Sequence, residues 1–166
     1  MLEWIMLRVL AATDFSDDGR VVVDFAANLV RRCGGKMYLL HAVEPCMMDS
    51  AGFLTLEDEP DPDSADTLPG ELRHRSLLEI SDNRARRAAE IISRKWDIPI
   101  YGKAEEADDV VDCIHSFCAR HNIDMLVIGN RHHSLLTSIL LGNTAERLMR
   151  TSKIPVTVVP CVPQNG

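Results

Sequence analysis

Four apolar residues, Met125-Leu126-Val127-Ile128, form an unbroken run that stops at Gly129. A short run with no polar alternation fits a strand buried on both faces, and a sheet covered by helices on both sides provides such a place. Beyond Gly129 the chain turns polar, passes a second apolar patch, and reaches Gly142-Asn143-Thr144 at the head of a helical stretch. A strand that stops at one glycine, followed by a helix that opens at another, is how α/β proteins hold anions. Backbone N–H groups and the helix dipole then point at the ligand together.

The remainder of the chain repeats this alternation. Ile5 to Ala12 reads as a first strand, and Ser16 or Asp17 caps a helix running to about Cys33. Val22, Phe25, Ala26, Leu29 and Val30 share its inward stripe, and Gly34-Gly35 stop it. Lys36 to Val43 form a second strand. A helix resumes near Ser76, with Leu77, Ser81, Ala85, Ala88, Ile92 and Trp96 on one stripe. Ile98 to Ala104 form a third strand, which Pro99 assigns to an edge of the sheet, because proline cannot donate to a central ladder. The next helix spans about Glu105 to His121, with Val110, Val111, Ile114, Phe117 and Cys118 inward. After the strand at 124–129 come a helix from Gly142 to about Arg150 and a last strand, Pro155 to Pro160. Strands alternating with helices imply parallel pairing and right-handed crossovers. The fold class is therefore α/β, a Rossmann-like three-layer sandwich with a five-stranded parallel sheet, in one domain over 1–166. Ligands on such sheets bind at the carboxyl ends of the strands, where strand order reverses. Residues 13–16 and 129–141 are the candidate loops.

One segment breaks the alternation. From Glu44 to about Arg75 the chain holds Pro45, Pro60, Pro62 and Pro69 among Glu57, Asp58, Glu59, Asp61, Asp63, Asp66 and Glu71. This is the composition of a long loop that does not pack fully. It reads as a solvated insertion, with a lid or partner-binding segment as the functional reading.

The whole chain of 166 residues carries a net charge of −7. That balance argues against non-specific nucleic-acid binding, which relies on basic surface. It leaves room for a small anionic ligand, because a pocket can differ in sign from the surface around it. No apolar run reaches the length of a membrane helix, about 20 residues. The start, MLEWIMLRVLAATDF, reads as a strand rather than a signal peptide. The five cysteines have no CxxC spacing and fit reduced, mostly buried thiols of a cytoplasmic protein. His115, Cys118 and His121 lie three apart on one helix, but that spacing drifts around the helix and no fourth ligand is evident, so no metal is assigned. No nucleophile–base spacing and no Walker Gly-x4-Gly-Lys-Ser/Thr is present, so no catalytic residue is named. The expectation is a binding module, with slow hydrolysis of a bound nucleotide left open.

Several stretches resemble the universal stress protein family: ATDFSDD, LLHAVEP, NIDMLVIGN and ILLGNTAERLMRTSKIPVTVVP. The family's signature is Gly-x-x-Gly, nine residues, then Gly-Ser or Gly-Thr. Here the frame is Gly129-x-x-His132, nine residues, Gly142-Asn143. The resemblance implies strand order 3-2-1-4-5 and a cytoplasmic homodimer paired through the last strand, 155–160. For members that bind ATP or AMP, it implies that Asp14 contacts the nucleoside. Ala12, Thr13 and Val43 would line adenine and ribose, while Gly129, His132, Gly142 and Asn143 would hold phosphate, with Mg2+ accompanying a triphosphate.

His132 and Asn143 depart from the signature. A non-glycine residue held at positive φ costs about 1–2 kcal/mol. Against that, Arg131, His132 and His133 form a cationic cluster whose charge-assisted bonds to phosphate are worth roughly 1.5–3 kcal/mol each. Asn143 is itself a good helix cap, and Thr144 supplies a hydroxyl one position late. The alternative to a nucleotide-binding regulatory protein is a dimeric interaction protein of the same fold with a degenerate pocket.

Overall fold

The computed structural model describes residues 6–44, 70–130 and 142–160, the side chains of 70–76 excepted. Ile5, the acidic Pro-rich stretch over 45–69, and Arg131, His132 and His133 lie outside the described residues.

Among the described residues five strands and four helices alternate. They are β1 (Leu7–Ala12), α1 (Asp17–Cys33), β2 (Gly35–Val43), α2 (Gly70–Trp96), β3 (Ile100–Glu106), α3 (Val110–His121), β4 (Met125–Asn130), α4 (Asn143–Thr151) and β5 (Val156–Pro160). The sheet order is β3-β2-β1-β4-β5, and every pairing is parallel.

The sheet divides the core into two layers. On one face Val9, Ala11, Met37, Leu39 and Val127 pack with Val22, Ala26, Ala27 and Val30 of α1. On the other, Leu10, Leu40, Leu126 and Ile128 pack with Val111, Ile114 and Phe117 of α3 and Ala145 and Leu148 of α4. The alternation of strand side chains produces this division directly. Among the described residues no helix is long and apolar enough to cross a membrane.

Local chemistry sets the boundaries, and several differ from expectation. Ser16, not Asp17, caps α1, its hydroxyl accepting from the Gly19 N–H. Within α1, Phe25 is 43% exposed, and Val23 and Ala27 take the buried positions instead. Val22, Ala26 and Val30 of the expected stripe are buried and Leu29 packs against the same core, so the expectation fails at Phe25. Helix α2 begins at Gly70 rather than near Ser76, so residues 70–75, expected in the loop, are helical. Proline stops a preceding helix but does not hinder one that starts after it, and no proline follows before Pro99. Strand β3 begins at Ile100 and runs through Glu105 and Glu106, which had been assigned to the next helix. Asp109 is the cap that starts α3, accepting from the N–H groups of Val111 and Asp112. As Pro99 required, β3 is an edge strand.

The β3 edge is fastened by one buried carboxylate. Asp82 of α2 accepts the Ala104 N–H at 3.0 Å and pairs with Lys103 at 3.2 Å and Arg86 at 2.6 Å. Burial opposes its charge, but these partners outweigh it and hold its pKa below the ordinary value. The helix also lies unusually close to the strand: a Cβ on Gly102 would collide with the Ala85 carbonyl. Gly102→Ala is expected to lose about 1–3 kcal/mol in urea denaturation, the usual cost of overpacking. An unchanged midpoint would show that α2 and β3 separate freely.

Candidate functional site

The end of β1 runs into a compact turn. The Thr13 N–H donates to the Leu40 carbonyl at 2.9 Å, which continues the β1–β2 ladder one residue past the strand. The Thr13 hydroxyl oxygen accepts the Phe15 N–H at 3.1 Å. Asp14 Oδ1 accepts the Ser16 N–H at 3.0 Å and its hydroxyl at 2.6 Å, an Asx-type turn. Thus Asp14 stays exposed while its carboxylate is oriented at the mouth of the strand. Phe15 sits at φ 60, a conformation that favours glycine. Its ring is held between the His41 ring, 4.9 Å between centroids, and the Arg84 guanidinium at 4.6 Å.

Two residues that the sequence reading passed over support this turn. His41 on β2 donates from Nδ1 to the Thr13 carbonyl at 2.9 Å. Burial lowers its pKa below 6.5, nearby Arg84 adds to the lowering, and the bond to Thr13 partly opposes both. Gly19 in the first turn of α1 is the second. A Cβ there would lie 2.5 Å from Thr13 Oγ1 and 3.2 Å from Asp14 Oδ1. A glycine early in a helix and a histidine within an apolar strand were the available signals.

The second half of the site is built by β4 and α4. Ala11 pairs with Val127, so Thr13 and Gly129, each two residues on, stand side by side at the carboxyl edge. Asn130 follows, only 4% exposed, and its Oδ1 accepts the Gly142 N–H at 3.4 Å. Gly142 is the N-cap of α4 at φ −60, ψ 149, and it offers no side-chain cap to the helix. A Cβ at Gly142 would meet none of the described residues within 4 Å. Asn143 and Thr144 are exposed in the first turn. Of the sequence-named residues, Ala12, Thr13 and Asp14 gather on one strand end, and Gly129, Gly142, Asn143 and Thr144 on the neighbouring one. Val43 ends β2 at the same edge of the sheet, but its side chain packs with Ala104, Leu77 and Leu78.

The histidines and cysteine of α3 diverge. His121 stacks on Phe117 and Tyr38, with centroids 4.1 and 5.1 Å away. His115 reaches the Thr151 hydroxyl at 3.4 Å. Burial pushes the Cys118 thiol up to about 11, so it is not a thiolate near neutrality. Among the described residues no group of three potential ligands converges.

Comparison with known proteins adds a lineage to this geometry. A family model described as the universal stress protein family matches residues 6–160. A universal stress protein of Methanocaldococcus jannaschii is 24% identical over 155 residues, covering 92% of this chain and 81% of that one. A solved universal stress protein in complex with cAMP superposes with a TM-score of 0.60 at 20% identity, covering 95% of this chain and 98% of that one. Another, from Archaeoglobus fulgidus in complex with dAMP, gives 0.53 at 22% identity, covering 92% and 96%.

The depressed pKa of His41 has a consequence for stability. The folded chain binds this proton less readily than the unfolded chain, so folding is favoured above pH 6.5 and weakens as the pH falls towards the lowered folded value. His41→Gln keeps a donor for the Thr13 carbonyl but does not titrate. Between pH 8 and pH 5 the native chain should lose more stability than the variant, at most about 1.4 kcal/mol per pH unit. Parallel urea-denaturation profiles would show that His41 is not held neutral.

Proposed function

Because the chain belongs to the universal stress protein family, we propose that it is a stress-response regulatory protein that binds an adenine nucleotide, ATP or AMP, across the carboxyl ends of β1 and β4. One observation carries this reading. At the start of α4 the N-cap Gly142 makes no side-chain cap bond and would meet none of the described residues with a Cβ, while the Asp14 carboxylate is oriented just past the end of β1, the strand beside β4. Helix N-termini attract phosphate through free N–H groups and the dipole. A carboxylate at the neighbouring strand end suits ribose hydroxyls, which donate. The relatives solved with cAMP and dAMP support an adenine nucleotide as the ligand class.

In this reading Asp14 takes the ribose, and Ala12, Thr13 and Val43 border the nucleoside. Gly129, Gly142, Asn143 and Thr144 hold phosphate, with Arg131, His132 and His133 adding positive charge and Mg2+ accompanying a triphosphate. The protein acts as a cytoplasmic binder whose occupancy alters a partner surface, not as a dedicated catalyst.

Thermal shift with ATP, ADP and AMP, with and without magnesium, tests the proposal. Ligand at 100 times its dissociation constant adds about 2.7 kcal/mol. For a domain of this size that raises the melting temperature by several degrees. Asp14→Ala should abolish most of the shift. No shift at millimolar nucleotide would favour the degenerate pocket, and the double variant His132→Gly, Asn143→Ser should then create binding that the native chain lacks. If His132 or His133 meets phosphate, affinity rises from pH 8 to pH 6 as imidazole charges.

The second part of the proposal is a homodimer paired through β5. Its exposed side is a sheet edge, and Val156, Thr157 and Val158 are only half-buried in a single chain. Sedimentation should show a dimer for the native chain and a monomer for Thr157→Pro. A native monomer at micromolar concentration would remove this part alone.

A further inference from the structure

The turn at the end of β1 is held in a conformation that its own residues do not favour. Phe15 stands at φ 60, where an L side chain is strained and glycine is not. Strain of this kind persists only where the surroundings over-determine it, and it gathers at functional sites. Here two other elements supply the restraint. The His41 ring of β2 lies 4.9 Å from the Phe15 ring, and its Nδ1 holds the Thr13 carbonyl at 2.9 Å. From α2 the Arg84 guanidinium covers the Phe15 ring at 4.6 Å. Burial, and then Arg84, keep His41 on the neutral side against the Thr13 bond, so the two groups share the ring without repulsion. Two residues along α2, Arg86 is committed to Asp82, whereas Arg84 is turned to Phe15. Between the two held residues, Thr13 and Phe15, sits Asp14, whose Oδ1 accepts from the Ser16 N–H and hydroxyl. The direction of this carboxylate therefore depends on a neighbouring ring that β2 and α2 hold in place.

We propose that Phe15 and Arg84 are positioning residues for the ligand: Arg84 keeps the Phe15 ring in place, the ring holds the turn at positive φ, and the turn aims the Asp14 carboxylate at ribose hydroxyls. The inference rests on the nucleotide reading given above and concerns only its nucleoside half. Neither residue touches the ligand itself. A cation over an aromatic face gains an attraction of the same order as the backbone strain it opposes. When the cation is removed, Phe15 relaxes towards negative φ, the turn opens, and the carboxylate leaves the ribose. Phosphate bound at the neighbouring strand end depends on β4 and α4 and is not affected.

Binding of AMP and of 2′,3′-dideoxy-AMP, measured side by side by titration calorimetry, isolates the carboxylate, because the dideoxy nucleotide has no ribose hydroxyl to donate. The native chain should prefer AMP by about tenfold or more, as a hydrogen bond to a charged group gives. Arg84→Met keeps the aliphatic stem over the ring and removes the charge. It should cut the preference to about threefold or less by weakening AMP alone. Native affinity for dideoxy-AMP in this variant also reports that it is folded. Arg84→Lys, which returns a cation to the ring, should restore most of the preference. Phe15→Gly takes up φ 60 without strain and has no ring to be held, so adding Arg84→Met to it should change neither affinity further. An undiminished preference in Arg84→Met, an equal loss for both nucleotides, or a loss that persists in the Phe15→Gly background would overturn the inference and leave nucleotide binding intact. A native chain that binds both nucleotides equally would overturn it as well. A native chain that binds neither would overturn the nucleotide reading and this inference with it.

Discussion

The pairing of β1 with β4 is the constraint on which the rest depends. Val9, Leu10, Ala11, Leu126 and Val127 are wholly buried. No water reaches either face of this pair, so every backbone N–H and C=O there must be satisfied within the sheet. The strands can end only where the ladder ends, and those ends are Thr13 and Asn130. From β1 the chain proceeds to β2 and β3 on one side, and from β4 to β5 on the other. The crossovers therefore part at this seam, and the carboxyl ends of β1 and β4 lie next to each other without further design. The site is a by-product of topology, and local chemistry then orients the groups within it.

Farther from the seam the structure relies on individual contacts rather than on burial of whole strands. β3 has one neighbour in the sheet and is secured by Asp82 and by the close approach at Gly102. Asp24 of α1 ties the first two helices, accepting from Trp96 Nε1 at 3.1 Å and Lys95 Nζ at 3.0 Å. Arg147 of α4 pairs with Asp109, the cap of α3, at 2.8 Å. Each helix on a face thus has a polar link to its companion, and the links lie outside the apolar layers, where exposed pairs are weak individually.

Periodicity made the element order, the parallel sheet and the edge position of β3 legible, because burial on one or two faces leaves a repeating mark in the chain. Boundaries were harder to read. Glu105 and Glu106 suit a helix by propensity, yet pairing with Ala42 and Val43 draws them into β3. Tertiary pairing overrode local preference. Phe25 was misplaced because an aromatic residue near a stripe counts as inward until the exact rotation of the helix is known. Within the site, Asp14, Gly129 and Gly142 could be named because glycine and a turn carboxylate carry local signals. His41, Gly19 and Asn130 act across distances of many residues, and one chain read along its length does not show what lies beside it in space.

Gly142 is a glycine whose backbone does not require one: at φ −60 any residue could stand there unstrained. What the position contributes is missing volume, since a methyl group there would touch none of the described residues. As far as the described residues go, such a feature is decoupled from packing, and a side chain could enter that room without meeting any of them. Occupancy of the cleft could therefore be acquired or abandoned repeatedly among descendants of one ancestor while the sheet and its helices persist unchanged.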